Sequence, residues 1–135
     1  MLRVLKRFVR DDRGAAMVEL ALVAGVIFIP LLFGVIEIGR AIWTKSMVTA
    51  AAREGVRFAI VRGSESGITT DSAGVANYVI GRTQLTGIKV SPTWPSGNKE
   101  PGSIVQVAVS FAYVPVVPVF PSKTITSTSR QIIAF

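Results

Sequence analysis

The sequence predicts an α+β protein in which a long N-terminal helix, transmembrane and then amphipathic, packs on a small antiparallel sheet domain. Three observations predict it. Leu20 to Ile36 reads LALVAGVIFIPLLFGVI, seventeen residues without a charge. Ile38 to Arg62 continues with Ala-rich, Pro-free helix chemistry. Beyond Gly63 the chain changes to Gly, Ser and Pro punctuation around runs of alternating β-branched residues. The expected layout is a basic leader over 1–14, a helix over 15–62 and an exterior α+β domain over 63–135. The composition fits: 135 residues, 50% hydrophobic and only 17% charged, with a mean hydropathy of +0.51, are too apolar for a disordered chain. With no Cys and no His, the chain has no disulfide scaffold, no thiolate metal site and no cysteine or histidine catalysis.

The leader, Met1 to Gly14, holds Arg3, Lys6, Arg7, Arg10 and Arg13. Taken whole, the chain's net charge of +7 and pI ≈ 10.6 nominate nucleic acid as a partner. The position of the charge argues otherwise. Five basic residues and two aspartates give the leader +3, so the remainder carries +4. Basic residues flanking a membrane span stay in the cytoplasm, which places the N-terminus inside and everything after Arg40 outside. No A-x-A site follows the apolar run, so a secretory signal is disfavoured.

From Ala15 to Ile36 the only charge is Glu19. As a helix this segment is roughly 33 Å long, against about 30 Å of bilayer hydrocarbon. A membrane span is therefore expected. The alternative, the central helix of a soluble core, needs cover on all sides from a short remaining chain. Pro30 lacks an N–H and crowds the carbonyl of Val26, and a kink is expected there rather than a break. Gly25 and Gly34 permit close helix approach.

The junction is the sharpest motif. Arg13-Gly14 followed by Ala15, Ala16, Met17, Val18 and Glu19 resembles a type IV prepilin processing site. That resemblance implies a membrane aspartyl prepilin peptidase cutting between Gly14 and Ala15 on the cytoplasmic side, with the apolar segment retained. Gly offers a protease cleft an unobstructed backbone. A lone carboxylate near the top of a membrane helix is costly unless paired, and cleavage creates an α-amino cation at Ala15 that a neighbouring subunit's Glu19 would neutralise. Alternatively Glu19 sits at headgroup depth and meets Arg13 or water.

Together, GAAMVELALVAGVIFIPLLFGVIEIGR and AAREGVR, within Arg13 to about Gly63, resemble the TadE family, the pilin-like proteins of the Tad (Flp) pilus machinery. Leu20 departs from the small Flp pilins, which carry an aromatic after the Glu. The resemblance implies as partners other pilin subunits, a Tad assembly platform with its ATPase, the prepilin peptidase and membrane lipid.

Independently of family, Ala41, Val48, Ala52, Gly55, Val56 and Ala59 fall on one side of the second half of the helix, with Arg53 and Arg57 off that seam. Glu54 and Arg57 are spaced for an i,i+3 pair. AAREGVR is then a small-residue packing face flanked by solvated charges, open to use within the chain or between subunits. Gly63 and Ser64 provide a stop.

In the exterior domain, Gly63 to Gly74 reads as a polar linker. Asp71 or Ser72 is expected to cap a short helix over Ala73 to Leu85, with Val75, Tyr78, Val79 and Leu85 inward. Strands are expected at Ile88 to Trp94, Ile104 to Val114 and Thr124 to Ile133. In the second, Val105, Val107, Val109 and Phe111 alternate with Gln106, Ala108, Ser110 and Ala112. Pro115 to Pro121, PVVPVFP, cannot be an interior strand and is expected to cross the domain as an extended segment. This plan resembles the helix-plus-small-sheet architecture of pilins.

No enzyme activity, cofactor or metal is expected. The carboxylates Glu37, Glu54, Glu65, Asp71 and Glu100 are scattered, with no phosphate loop, no G-x-S-x-G and no H-E-x-x-H. Lys and Arg are not clustered with aromatics, so nucleic acid is not an expected partner. Two functions remain: a minor pilin or pseudopilin of a Tad-type pilus or secretion apparatus, or an uncleaved single-pass anchor whose exterior domain binds an envelope or surface component. Both place the chain in a bacterial or archaeal cytoplasmic membrane, and the first also at the cell-surface pilus with a role in secretion or adhesion.

Overall fold

A computed structural model describes residues 12–68 and 70–134. The expectations for Arg3, Lys6, Arg7 and Arg10 lie outside the described residues. The fold is α+β: helix α1 (Asp12–Ile60), helix α2 (Ser72–Arg82) and strands β1 (Lys89–Thr93), β2 (Ile104–Tyr113) and β3 (Lys123–Ile132). Two compact units divide the chain, Met1–Gly39 and Arg40–Phe135.

The described part of the first unit is helical throughout, and the helix continues past Pro30 although that residue donates no bond to the Val26 carbonyl. Helix α1 is described from Asp12, so it already includes Ala15, and it ends at Ile60, where Arg62 N–H turns back to the Ala59 carbonyl at 3.1 Å.

In the second unit the three strands form an antiparallel meander in the order β1-β2-β3. Strand β2 is central because its alternation of Val105, Val107 and Val109 supplies one fully buried face. Pro92 sits in edge strand β1 opposite Val107, where a missing donor is tolerated. Strand β3 turns Ile125, Ser127 and Ser129 toward cover and Thr124, Thr126, Thr128 and Arg130 outward. Between β1 and β2 the chain turns through Gly102 at φ +87°, a left-handed conformation that a side chain would strain, and Gly102 N–H bonds the Ile133 carbonyl at 3.0 Å.

Helix α2 starts one residue before the expected Ala73, because Asp71 is the cap: its Oδ1 accepts Gly74 N–H at 2.7 Å. It ends at Arg82, so Leu85, expected on its inner face, lies beyond it and is half-buried in the connection to β1. Val75 and Val79 are buried as expected and Tyr78 is half-buried.

The segment Pro115 to Pro121 corrects the sequence reading. It does not cross the domain. Strands β2 and β3 are adjacent, paired from Tyr113↔Lys123 to Ile104↔Ile132, and residues 114–122 only connect their ends. Within that loop Phe120 N–H closes a turn on the Val117 carbonyl at 3.1 Å.

The core gathers Val48, Ala51, Ala52, Val56 and Ala59 of α1, Val75 and Val79 of α2, and Ile88, Val105, Val107, Val109 and Ile133. Each fully buried Val or Ile contributes about 1.5–3 kcal/mol. The small residues on α1 let its backbone approach the sheet closely.

Candidate functional helix and its docking face

The residues singled out by sequence all lie on α1. Gly14 and Ala15 are both helical, so the peptide bond between them is not extended. The space around Gly14 is open: a Cβ there would meet nothing within 4 Å. Glu19 lies five residues on, about 7.5 Å along the axis, and is exposed.

From Met17 to Ile38 the large apolar side chains point outward all round the helix. Leu20 is 70% exposed, and Val26, Phe28, Leu32 and Ile36 are likewise exposed. In a water-soluble monomer so long an apolar surface would be untenable. It is the one described helix long and apolar enough to cross a membrane. Glu37, at the end of this stretch, is buried at 5% exposure.

Beyond Arg40 the character of α1 changes. Thr44, Val48, Ala51, Ala52, Gly55, Val56 and Ala59 are buried, a stripe at helical spacing, while Arg53 and Arg57 are exposed. Ala41, expected on the seam, is half-buried. Thr44 joins the seam because its Oγ1 donates to the Arg40 carbonyl at 2.9 Å, which satisfies the hydroxyl inside the helix.

Gly55 is the closest point. A Cβ built there would lie 2.8 Å from Val79 Cγ2 and 3.0 Å from Val107 Cγ1, so α1, α2 and β2 converge on a residue that has no room for a side chain. The AAREGVR motif is thus a packing face, and in this chain its small residues serve packing within the unit.

Glu54, which the sequence paired with Arg57, accepts the Tyr78 hydroxyl at 2.8 Å. This bond, with lesser help from loss of solvent, raises the Tyr78 pKa above its ordinary 10.0, while the cations of Arg82 and Arg62 pull the other way. Tyr78 also stacks on Phe58 with ring centroids 3.9 Å apart and planes at 19°. The Arg62 guanidinium lies 3.8 Å from the Phe58 centroid and that of Arg82 lies 5.3 Å from the Tyr78 centroid. The sequence reading missed this layered cluster. Its signal was present: Glu54 and Phe58 are four apart on α1 with Arg62 four further on, just past its end, and Tyr78 and Arg82 are four apart on α2.

Beside it, Met47, Ala50, Ala51 and Glu54 of α1 and Val79, Arg82 and Thr83 line an open groove of about 310 Å³. Among the described residues no three His, Cys, Asp or Glu side chains gather as a metal site would require.

Residues 14–57 match the family model for TadE, described as TadE-like protein. This chain carries a TadE-like segment. No curated protein and no solved structure matches the chain. The TadE-like segment starts at Gly14, takes in Glu19, Pro30 and Gly55, and stops within α1 before any strand of the sheet. The match lies on the described helix that is long and apolar enough to cross a membrane.

Proposed function

We propose that the protein is a minor pilin or pseudopilin of a Tad-type pilus or secretion apparatus, held in the cytoplasmic membrane and assembled through its apolar helix. The observation that carries this reading is the TadE-like segment lying on a helix whose apolar surface is exposed on every side from Met17 to Ile38. Such a surface is satisfied first by lipid and then, on extraction, by the helices of neighbouring subunits. The same packing of many apolar helices would drive extraction by the assembly platform. The basic leader orients the chain with its N-terminus in the cytoplasm and residues 40–135 outside.

Processing between Gly14 and Ala15 belongs to this reading, as does neutralisation of the new Ala15 amine by Glu19 of a neighbour. Cleavage there would require the peptidase to unwind the helical backbone at Gly14 and Ala15. The helical state of that bond favours a second reading, in which the leader stays and the chain remains an uncleaved anchor whose exterior domain binds an envelope component. Intact-mass analysis of the protein from native membranes decides between them. Mature chains are expected to begin at Ala15, and Gly14→Leu is expected to leave them unprocessed. A population that keeps its leader in peptidase-positive cells would establish the anchor.

A further inference from the structure

The second unit carries a large exposed apolar feature in addition to its share of α1. The β2–β3 connection, VPVVPVFPS over 114–122, contains no charge, and Val114, Val116 and Val119 are 67%, 72% and 83% exposed. Phe120 is exposed as well.

The position of this loop within its unit is fixed by contacts at its base. Tyr113, the last residue of β2, lies under Arg40, whose guanidinium is 5.6 Å from the ring centroid. Lys45 donates to the Thr126 carbonyl near the start of β3. At the opposite end of the hairpin, Ala134 N–H bonds the Ile60 carbonyl at 3.2 Å. Residues 40–60 of α1 thus run along the hairpin from its loop to its open end, and the loop is at the end where the chain enters the unit. That entry point is the membrane boundary in the reading above. Arg40 comes four residues, about 6 Å of helix rise, after the last residue of the uncharged run, and Trp43 is exposed beside it. Trp and basic side chains are the residues that settle at headgroup level.

We propose that residues 114–120 form a lipid-contacting loop that rests in the interface of the outer leaflet, with the exposed Lys123 placed to meet phosphate headgroups. The inference rests on the membrane-span reading of α1. Its chemistry suits the site. Val114, Val116, Val119 and Phe120 offer apolar surface to the acyl boundary. Pro115, Pro118 and Pro121 remove three backbone donors that would otherwise have to be desolvated, and the Phe120-to-Val117 bond satisfies a fourth. The sheet then stands between this anchored end and the β1–β2 turn around Ser96, about 30 Å away along β2.

The absence of cysteine makes the test direct. Single variants Val119→Cys, Ser96→Cys and Ile36→Cys of the full chain are labelled with an environment-sensitive fluorophore and reconstituted in phosphatidylethanolamine/phosphatidylglycerol vesicles containing shallow spin-labelled lipid quencher. The expected result is loss of emission at Val119→Cys comparable to that at Ile36→Cys, with Ser96→Cys unaffected. Quenching at Ile36→Cys without quenching at Val119→Cys overturns the loop proposal and leaves the span intact; a blue-shifted but unquenched Val119 label does so in favour of a neighbouring subunit. Quenching at Ser96→Cys as strong as at Val119→Cys overturns it as indiscriminate adhesion. An unquenched Ile36 label overturns the span reading itself. Unchanged thermal unfolding of each labelled variant establishes that the fold is retained.

Discussion

Gly55 is where three elements meet, and its worth is set by what a single methyl would displace. In an open helix position Gly→Ala is stabilising by about 0.8–1 kcal/mol. Gly81, in α2, is such a position, since a Cβ there meets nothing within 4 Å. At Gly55 the same methyl overlaps Val79 and Val107, and overpacking costs about 1–3 kcal/mol, more than the helix gain. Gly55→Ala is therefore expected to lower the unfolding midpoint of the second unit while Gly81→Ala raises it. Equal increases in a thermal melt of the two variants would refute the convergence at Gly55. Tyr78 provides a second residue-scale test. Its hydroxyl donates to Glu54, so its pKa is raised in the folded state relative to the unfolded value. The stabilisation is complete below about pH 10 and is lost as pH rises through the folded value. Tyr78→Phe is expected to flatten the fall of the unfolding midpoint above pH 10 relative to the parent chain; parallel curves would count against the bond.

At the scale of elements, α1 is one continuous helix with two surfaces. Its first part is apolar all round and its second carries a buried stripe from Thr44 to Ala59. Sequence periodicity made this division legible, because Val48, Ala52, Gly55, Val56 and Ala59 recur at helical spacing whereas Leu20 to Ile36 has no polar face to contrast with an apolar one. The ends were less legible. Gly63 and Ser64 offer a stop, yet α1 ends at Ile60, and helix ends fray by a residue or two in any case. Glu19 lies on the apolar part and is exposed. Glu19→Ala is expected to leave membrane insertion unchanged and to reduce assembled pili strongly. Wild-type pilus numbers in that variant would remove Glu19 from the assembly step.

For the molecule as a whole, the α+β plan and the strands of the sheet were readable because Val105, Val107 and Val109 alternate and because turn residues separate the runs. The path between β2 and β3 was not. Three prolines exclude an interior strand, but they do not say where the next strand pairs. That is decided by the register Tyr113↔Lys123, a long-range choice made by burial of the Val face. The layered cluster of Arg62, Phe58, Tyr78 and Arg82 was hidden for a related reason. Each i,i+4 spacing is visible in the sequence, but which elements meet depends on Gly55 admitting α2 and β2 to the same point.

Lys45 binds the β3 backbone at Thr126, and Ile60 binds the chain just beyond β3 at Ala134. A pull directed along α1, as withdrawal of a subunit from a bilayer would apply, therefore reaches the sheet at two separated tethers and through the seam between them. The load falls on these contacts in shear, where they must yield together, instead of unzipping one after another. The second unit is in this sense fastened along the length of residues 45–60 rather than at one point.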